Sequence, residues 1–90
     1  MVHISIPPTL RQLCGGEETV TVRPGTVGEA VTQLHHRFNG IRDRLCDEGG
    51  RLRGSVLVFV NEEDIRFLNE QDTPLKPGDL VSIIPAFAGG

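Results

Sequence analysis

The sequence predicts one two-layer α+β domain, a β-sheet with a single helix packed on one of its faces. Three observations predict it. Two short early segments alternate apolar and polar residues, one middle segment repeats apolar residues at helical spacing, and two β-branched apolar runs follow. One helix can cover only one face of such a sheet. Ninety residues suffice for one core and are too few for two.

Val2-His3-Ile4-Ser5-Ile6 alternates apolar and polar residues and is expected as a half-buried strand, ended by Pro7-Pro8. Residues 9–16 are expected as a loop closed by Gly15-Gly16. Thr19-Val20-Thr21-Val22 is a second alternating strand, stopped by Pro24-Gly25 and expected to form an antiparallel hairpin with the first. Thr26-Val27-Gly28-Glu29 then has the form of a capping box, in which the Thr hydroxyl and the Glu carboxylate each satisfy an orphan N–H. Behind it Val27, Ala30, Val31, Leu34 and Phe38 form one apolar stripe, and Asn39-Gly40 supplies the stop.

Residues 41–53 are polar, with Ile41 and Leu45 offering at most a short helical turn. Val56-Leu57-Val58-Phe59-Val60 is apolar throughout and is expected as a central strand, followed by a turn at residues 61–64. Ile65-Arg66-Phe67 is expected as a short edge strand. Turn chemistry in residues 74–79 precedes the last strand, Leu80-Val81-Ser82-Ile83-Ile84, which Pro85 ends. If Val56, Val58 and Val60 face the helix, Leu57 and Phe59 point to the open face. Such a patch is either a docking surface for a partner or is covered by residues 9–16 and 41–53.

Composition narrows the function. A net charge of −3 without a long basic run argues against a nucleic-acid binder. Arg42, Arg44, Arg51 and Arg53 are interleaved with Asp43, Asp47 and Glu48, the pattern of a solvated loop, with a partner-docking patch as the lesser alternative. No apolar run approaches the roughly 20 residues needed to span a bilayer, and the N-terminus lacks the features of a signal peptide, so a cytoplasmic protein is expected. Cys14 and Cys46 are not at metal-ligand spacing and are expected as free thiols. His35 and His36 are adjacent on a helix, a poor chelating pair, and are expected at the surface. No catalytic or metal-binding constellation is visible.

Ala88-Gly89-Gly90 has the most chemical potential. A terminal diglycine has no side chains, can thread a narrow channel and ends in a free carboxylate. A frayed terminus without a role would look the same.

The element order with its diglycine resembles the ubiquitin-like β-grasp fold, and more narrowly the MoaD/ThiS group of prokaryotic sulfur carriers. The resembling residues are Val60-Asn61, Leu75-Lys76-Pro77-Gly78-Asp79 and the run from Val81 through Pro85-Ala86-Phe87 to Gly90. Ser5-Ile6-Pro7, Val60-Asn61-Glu62-Glu63-Asp64-Ile65-Arg66-Phe67 and Ile84-Pro85-Ala86-Phe87-Ala88-Gly89-Gly90 are similar to the CysO-type members. Two positions bear on subtype: Phe87 stands where related tails usually have a smaller apolar residue, and Ala86 where MoaD-like ones have a second proline. The resemblance implies a mixed sheet of four to five strands on one helix over residues 1–84, and a flexible tail over residues 85–90.

It also implies the chemistry. An E1-like adenylating enzyme with sulfurtransferase function would use ATP and Mg²⁺ to join the Gly90 carboxylate to AMP, and a sulfur donor would displace AMP to leave a thiocarboxylate. The extended tail from Pro85 would reach roughly 20 Å. Gly89 and Ala88 would thread the partner's channel, while Phe87, Phe59 and Leu57 would be recognition residues. In the CysO-like version the sulfur goes to a pyridoxal-phosphate-dependent cysteine synthase, and a metallopeptidase releases cysteine. ATP and pyridoxal phosphate would belong to those partners, and this chain would be a carrier rather than an enzyme. Sulfur supply for molybdopterin or thiamin thiazole is a variant of the same role. A ubiquitin-like modifier forming isopeptide bonds through Gly90 is an alternative of another class, and a non-catalytic interaction module is a third.

Overall fold

The computed structural model of the chain describes residues 1–85. Strands β1 (Val2–Ser5) and β2 (Thr19–Val22) pair antiparallel, with Val2 opposite Val22 and Ile4 opposite Val20. Helix α1 spans Val27–Arg37 and a short α2 spans Ile41–Leu45. β3 (Val56–Val60), the two-residue β4 (Glu63–Asp64) and β5 (Leu80–Pro85) complete one sheet in the order β2-β1-β5-β3-β4. β5 runs parallel to β1 and antiparallel to β3.

The capping box forms as its residues dictate. Thr26 Oγ1 accepts from the Glu29 N–H at 3.2 Å, and Glu29 Oε1 accepts from the Thr26 N–H at 2.9 Å. Val27, Ala30, Val31 and Leu34 of the stripe are buried, while Phe38 packs at the margin of the core. Against them lie Val2 and Ile4, Val20 and Val22, Val58 and Val60, and Val81 and Ile83, the inward residues of four strands. Each such side chain contributes about 1.5–3 kcal/mol by leaving water.

Four expectations change. Residues 9–16 are not a plain loop, because Pro8–Cys14 winds into a 3-10 helix that buries Leu10 and Cys14. Pro8 sets the first turn, and Gly15 at φ 65 ends it. The edge strand is Glu63–Asp64, and Ile65–Phe67 is a 3-10 turn. The Asp64 carboxylate accepts the Arg66 N–H at 2.9 Å and so turns the chain out of the sheet. The middle of the sheet is held by β5 rather than β3, which has only the two residues of β4 outside it. Finally, His35 is half-buried rather than a surface residue, and its Nδ1 is buried with no hydrogen-bond partner among the described residues.

Leu10 and Cys14, with Ile41, Leu45 and Cys46 from the α2 region, join the core cluster of α1 and the inward strand residues. Both segments therefore close the helix layer and leave the opposite face of the sheet open. Cys14 and Cys46 are free thiols, as expected.

Candidate functional site

The last strand positions the site. Its beginning is locked by a turn whose hydrogen bonds converge on Asp79. Asp79 Oδ2 accepts from the Lys76 N–H at 2.8 Å, Asp79 Oδ1 accepts from the Asn61 amide at 3.2 Å, and the Asp79 carbonyl accepts from the His3 N–H at 3.0 Å. Gly78 makes this turn at φ 90 while donating to the Met1 carbonyl at 2.9 Å. Asn61, at φ 59, donates its backbone N–H to the Leu80 carbonyl at 2.6 Å and accepts the Leu80 N–H on its side chain at 3.1 Å. The Lys76 N–H, then the Asn61 amide, hold the Asp79 carboxyl below its usual range. The two separate segments that resemble the sulfur carriers, Val60-Asn61 and residues 75–79, are thus one clasp.

From that clasp β5 runs between β1 and β3 to Pro85, which pairs with Val56. Gly90, Gly89, Ala88 and Phe87, the sites expected in the tail, lie outside the described residues.

Leu57 and Phe59 sit half-buried on the open face, while Val58 and Val60 turn inward. Leu57 is opposite Ile84 and Phe59 opposite Ser82, so the same face presents Ile84 at 45% and Leu80 at 41% exposure. Sequence reasoning missed Ile84 and Leu80, although the alternation of Leu80, Ser82 and Ile84 with Val81 and Ile83 contains the signal. It also missed the border of this face. Asp64 is opposite Phe59 and takes a two-pronged ion pair from Arg66, with Nη2 to Oδ2 at 2.7 Å and Nε to Oδ2 at 3.1 Å. That pairing lowers the Asp64 pKa and raises that of Arg66. Phe67, expected in an edge strand, is 83% exposed in the adjoining turn.

Among the described residues no group of three or more His, Cys, Asp or Glu is placed to hold a metal ion. Burial pushes both thiols up, so Cys14 and Cys46 are poor nucleophiles. None of the described helices is long and apolar enough to cross a membrane. What the geometry offers instead is a strand fixed at its root, an apolar strip beside it, and an exit at Pro85.

The family model described as the ThiS family matches residues 4–90. The chain is 40% identical over 91 residues to the sulfur carrier protein CysO of Mycobacterium tuberculosis, an alignment covering 99% of this chain and 98% of that protein. It is 34% identical over 65 residues to small archaeal modifier protein 3 of Haloferax volcanii, covering 72% of this chain and 70% of that one. Among solved structures, a chain of the Amycolatopsis orientalis BexX/CysO complex superposes with a TM-score of 0.92 at 40% identity, covering 100% of both chains.

Proposed function

The chain belongs to the ThiS family and has its ubiquitin-like β-grasp fold, and from that premise we propose that it is a sulfur carrier, not an enzyme, loaded at the Gly90 carboxylate. The carboxylate attacks the α-phosphorus of ATP and releases pyrophosphate. A sulfide-level donor then attacks the acyl carbon, AMP leaves with the bonding electrons, and a thiocarboxylate remains. A carboxylate needs this activation because its delocalised charge makes it a poor electrophile. Mg²⁺, the phosphate-binding groups and, downstream, pyridoxal phosphate belong to partner enzymes.

The observation that supports this reading best is the match to CysO along nearly the whole length of both chains. For the same reason we place the outgoing sulfur in cysteine formation by a pyridoxal-phosphate-dependent synthase, with a metallopeptidase to free the product. The similarity to a chain from a BexX/CysO complex supports a carrier that works docked to a partner. Holding the tail at the end of a fixed strand lowers the entropic cost of presenting it.

The similarity to an archaeal modifier protein favours one second reading, conjugation of Gly90 to lysine. Incubation with ATP, an E1-like enzyme and sulfide, followed by intact and C-terminal peptide masses, separates the two. Replacement of one Gly90 oxygen by sulfur supports the carrier. Gly90-linked lysine peptides with no thiocarboxylate would sink it.

A further inference from the structure

Gly90 lies five residues beyond Pro85, and five residues of fully extended chain span at most about 18 Å. Any enzyme that acts on the Gly90 carboxylate therefore has its reacting centre within that radius of Pro85. Its surface must close over whatever surrounds Pro85. There a cleft of about 300 Å³ is lined by Leu10, Val56 and Pro85 together with Asp43, Arg44 and Arg53.

The two arginines in this cleft are exposed, and neither forms a salt bridge among the described residues. Arg53 Nε donates to the Asp43 backbone carbonyl at 3.2 Å, which ties the approach to β3 to α2 and fixes where that guanidinium starts. Its remaining N–H donors are not used by that bond. Against a chain of net charge −3, a cleft with two unpaired cations and one carboxylate is a local reversal of sign. It lies beside Pro85, the residue from which the tail departs.

We infer that this cleft is a cationic collar at the root of the tail, and that it receives acidic side chains from the rim of the enzyme that activates Gly90. The inference rests on the activation reading above. The guanidinium groups of Arg44 and Arg53 are forks that fit carboxylates, so the rim that meets them is complementary when it is acidic. The collar then gives the docked carrier its direction, with the anionic end drawn inward and the cationic root held at the rim. Such complementarity sets register and association rate more than it adds affinity.

The test is the adenylation of the intact chain by its E1-like enzyme, read as pyrophosphate release at varied carrier concentration. Arg44→Glu with Arg53→Glu is expected to raise KM about tenfold or more while kcat at saturation changes little. Arg23→Glu with Arg51→Glu makes the same charge change outside the cleft and is expected to move KM by less than about twofold. Arg44→Lys with Arg53→Lys restores most of the loss, and added salt raises the wild-type KM more than that of the Glu pair. Thermal melts confirm that each variant is folded. An unchanged KM for the cleft pair, or an equal rise for the control pair, overturns the collar. If the wild-type chain yields no adenylate, the activation reading itself falls, and the collar with it.

Discussion

The Asn61 amide donates to the Asp79 carboxylate at 3.2 Å across 18 residues of sequence, joining the end of β3 to the start of β5. The same side chain accepts from Leu80, and its backbone sits in the left-handed region at φ 59. Asn61→Ala removes both side-chain bonds and leaves a Cβ residue at positive φ. Asn61→Gly removes the bonds without the backbone strain. The alanine variant is expected to lose about 2–3 kcal/mol and the glycine variant about 1–2 kcal/mol. Urea midpoints check this, and equal losses would show that the positive φ costs nothing.

Acid should unfasten the clasp. Asp79 and Asp64 both titrate below the ordinary 3.8, Asp79 through N–H donors and Asp64 through Arg66. A carboxylate that ionises more readily in the folded chain stabilises it above the unfolded value and loses that contribution as pH falls through the folded one. Denaturation midpoints are therefore expected to fall as pH drops below about 4, and Asp79→Asn should fall less steeply there. Parallel acid curves for the two proteins would contradict the assignment.

Both thiols should be silent in the folded protein. Cys14 and Cys46 are buried, and burial raises their pKa values. A thiol-reactive dye at pH 8 is expected to label neither until denaturant is added, and then both. Cys14→Ser should cost about 1–3 kcal/mol because the hydroxyl enters a site built for sulfur.

The two faces of the sheet should separate stability from partner use. Leu57→Gln with Ile84→Gln is expected to change stability by no more than about 1 kcal/mol yet cut sulfur loading about tenfold or more. Val58→Ala with Ile83→Ala should do the opposite, losing about 4 kcal/mol or more with loading intact below the melting temperature. Loading assays beside urea melts read both. Equal loading by the Leu57 and Ile84 variant would remove the open face from the docking surface.

Local chemistry was readable wherever it was self-contained. Thr26 and Glu29 needed only each other to start α1, and the apolar run of β3 began and ended where its composition changed. Pro8–Cys14 was opaque because two prolines and two glycines mark a loop, while the burial of Leu10 and Cys14 comes from α2 arriving later in the chain. Asp64 ended β4 through a side-chain bond to Arg66, a competition that a strand-like Ile65-Arg66-Phe67 conceals. The middle place of β5 was not legible because strand order depends on distant pairings. In the candidate site, alternation along β3 put Leu57 and Phe59 on one face, and the burial of Val58 and Val60 sets which face that is. Ile84 and Leu80 were not, since their role depends on which strand lies beside β3.

The position of β5 has a mechanical consequence. Residues 86–90 follow in sequence after β5, a strand that is bonded along both edges, parallel to β1 and antiparallel to β3. A pull on them is a shear load shared by two ladders at once, rather than a peel that opens one bond at a time. A partner can therefore haul on the end of the chain, and the clasp at Asn61 and Asp79 serves as the anchor at the far end of the line.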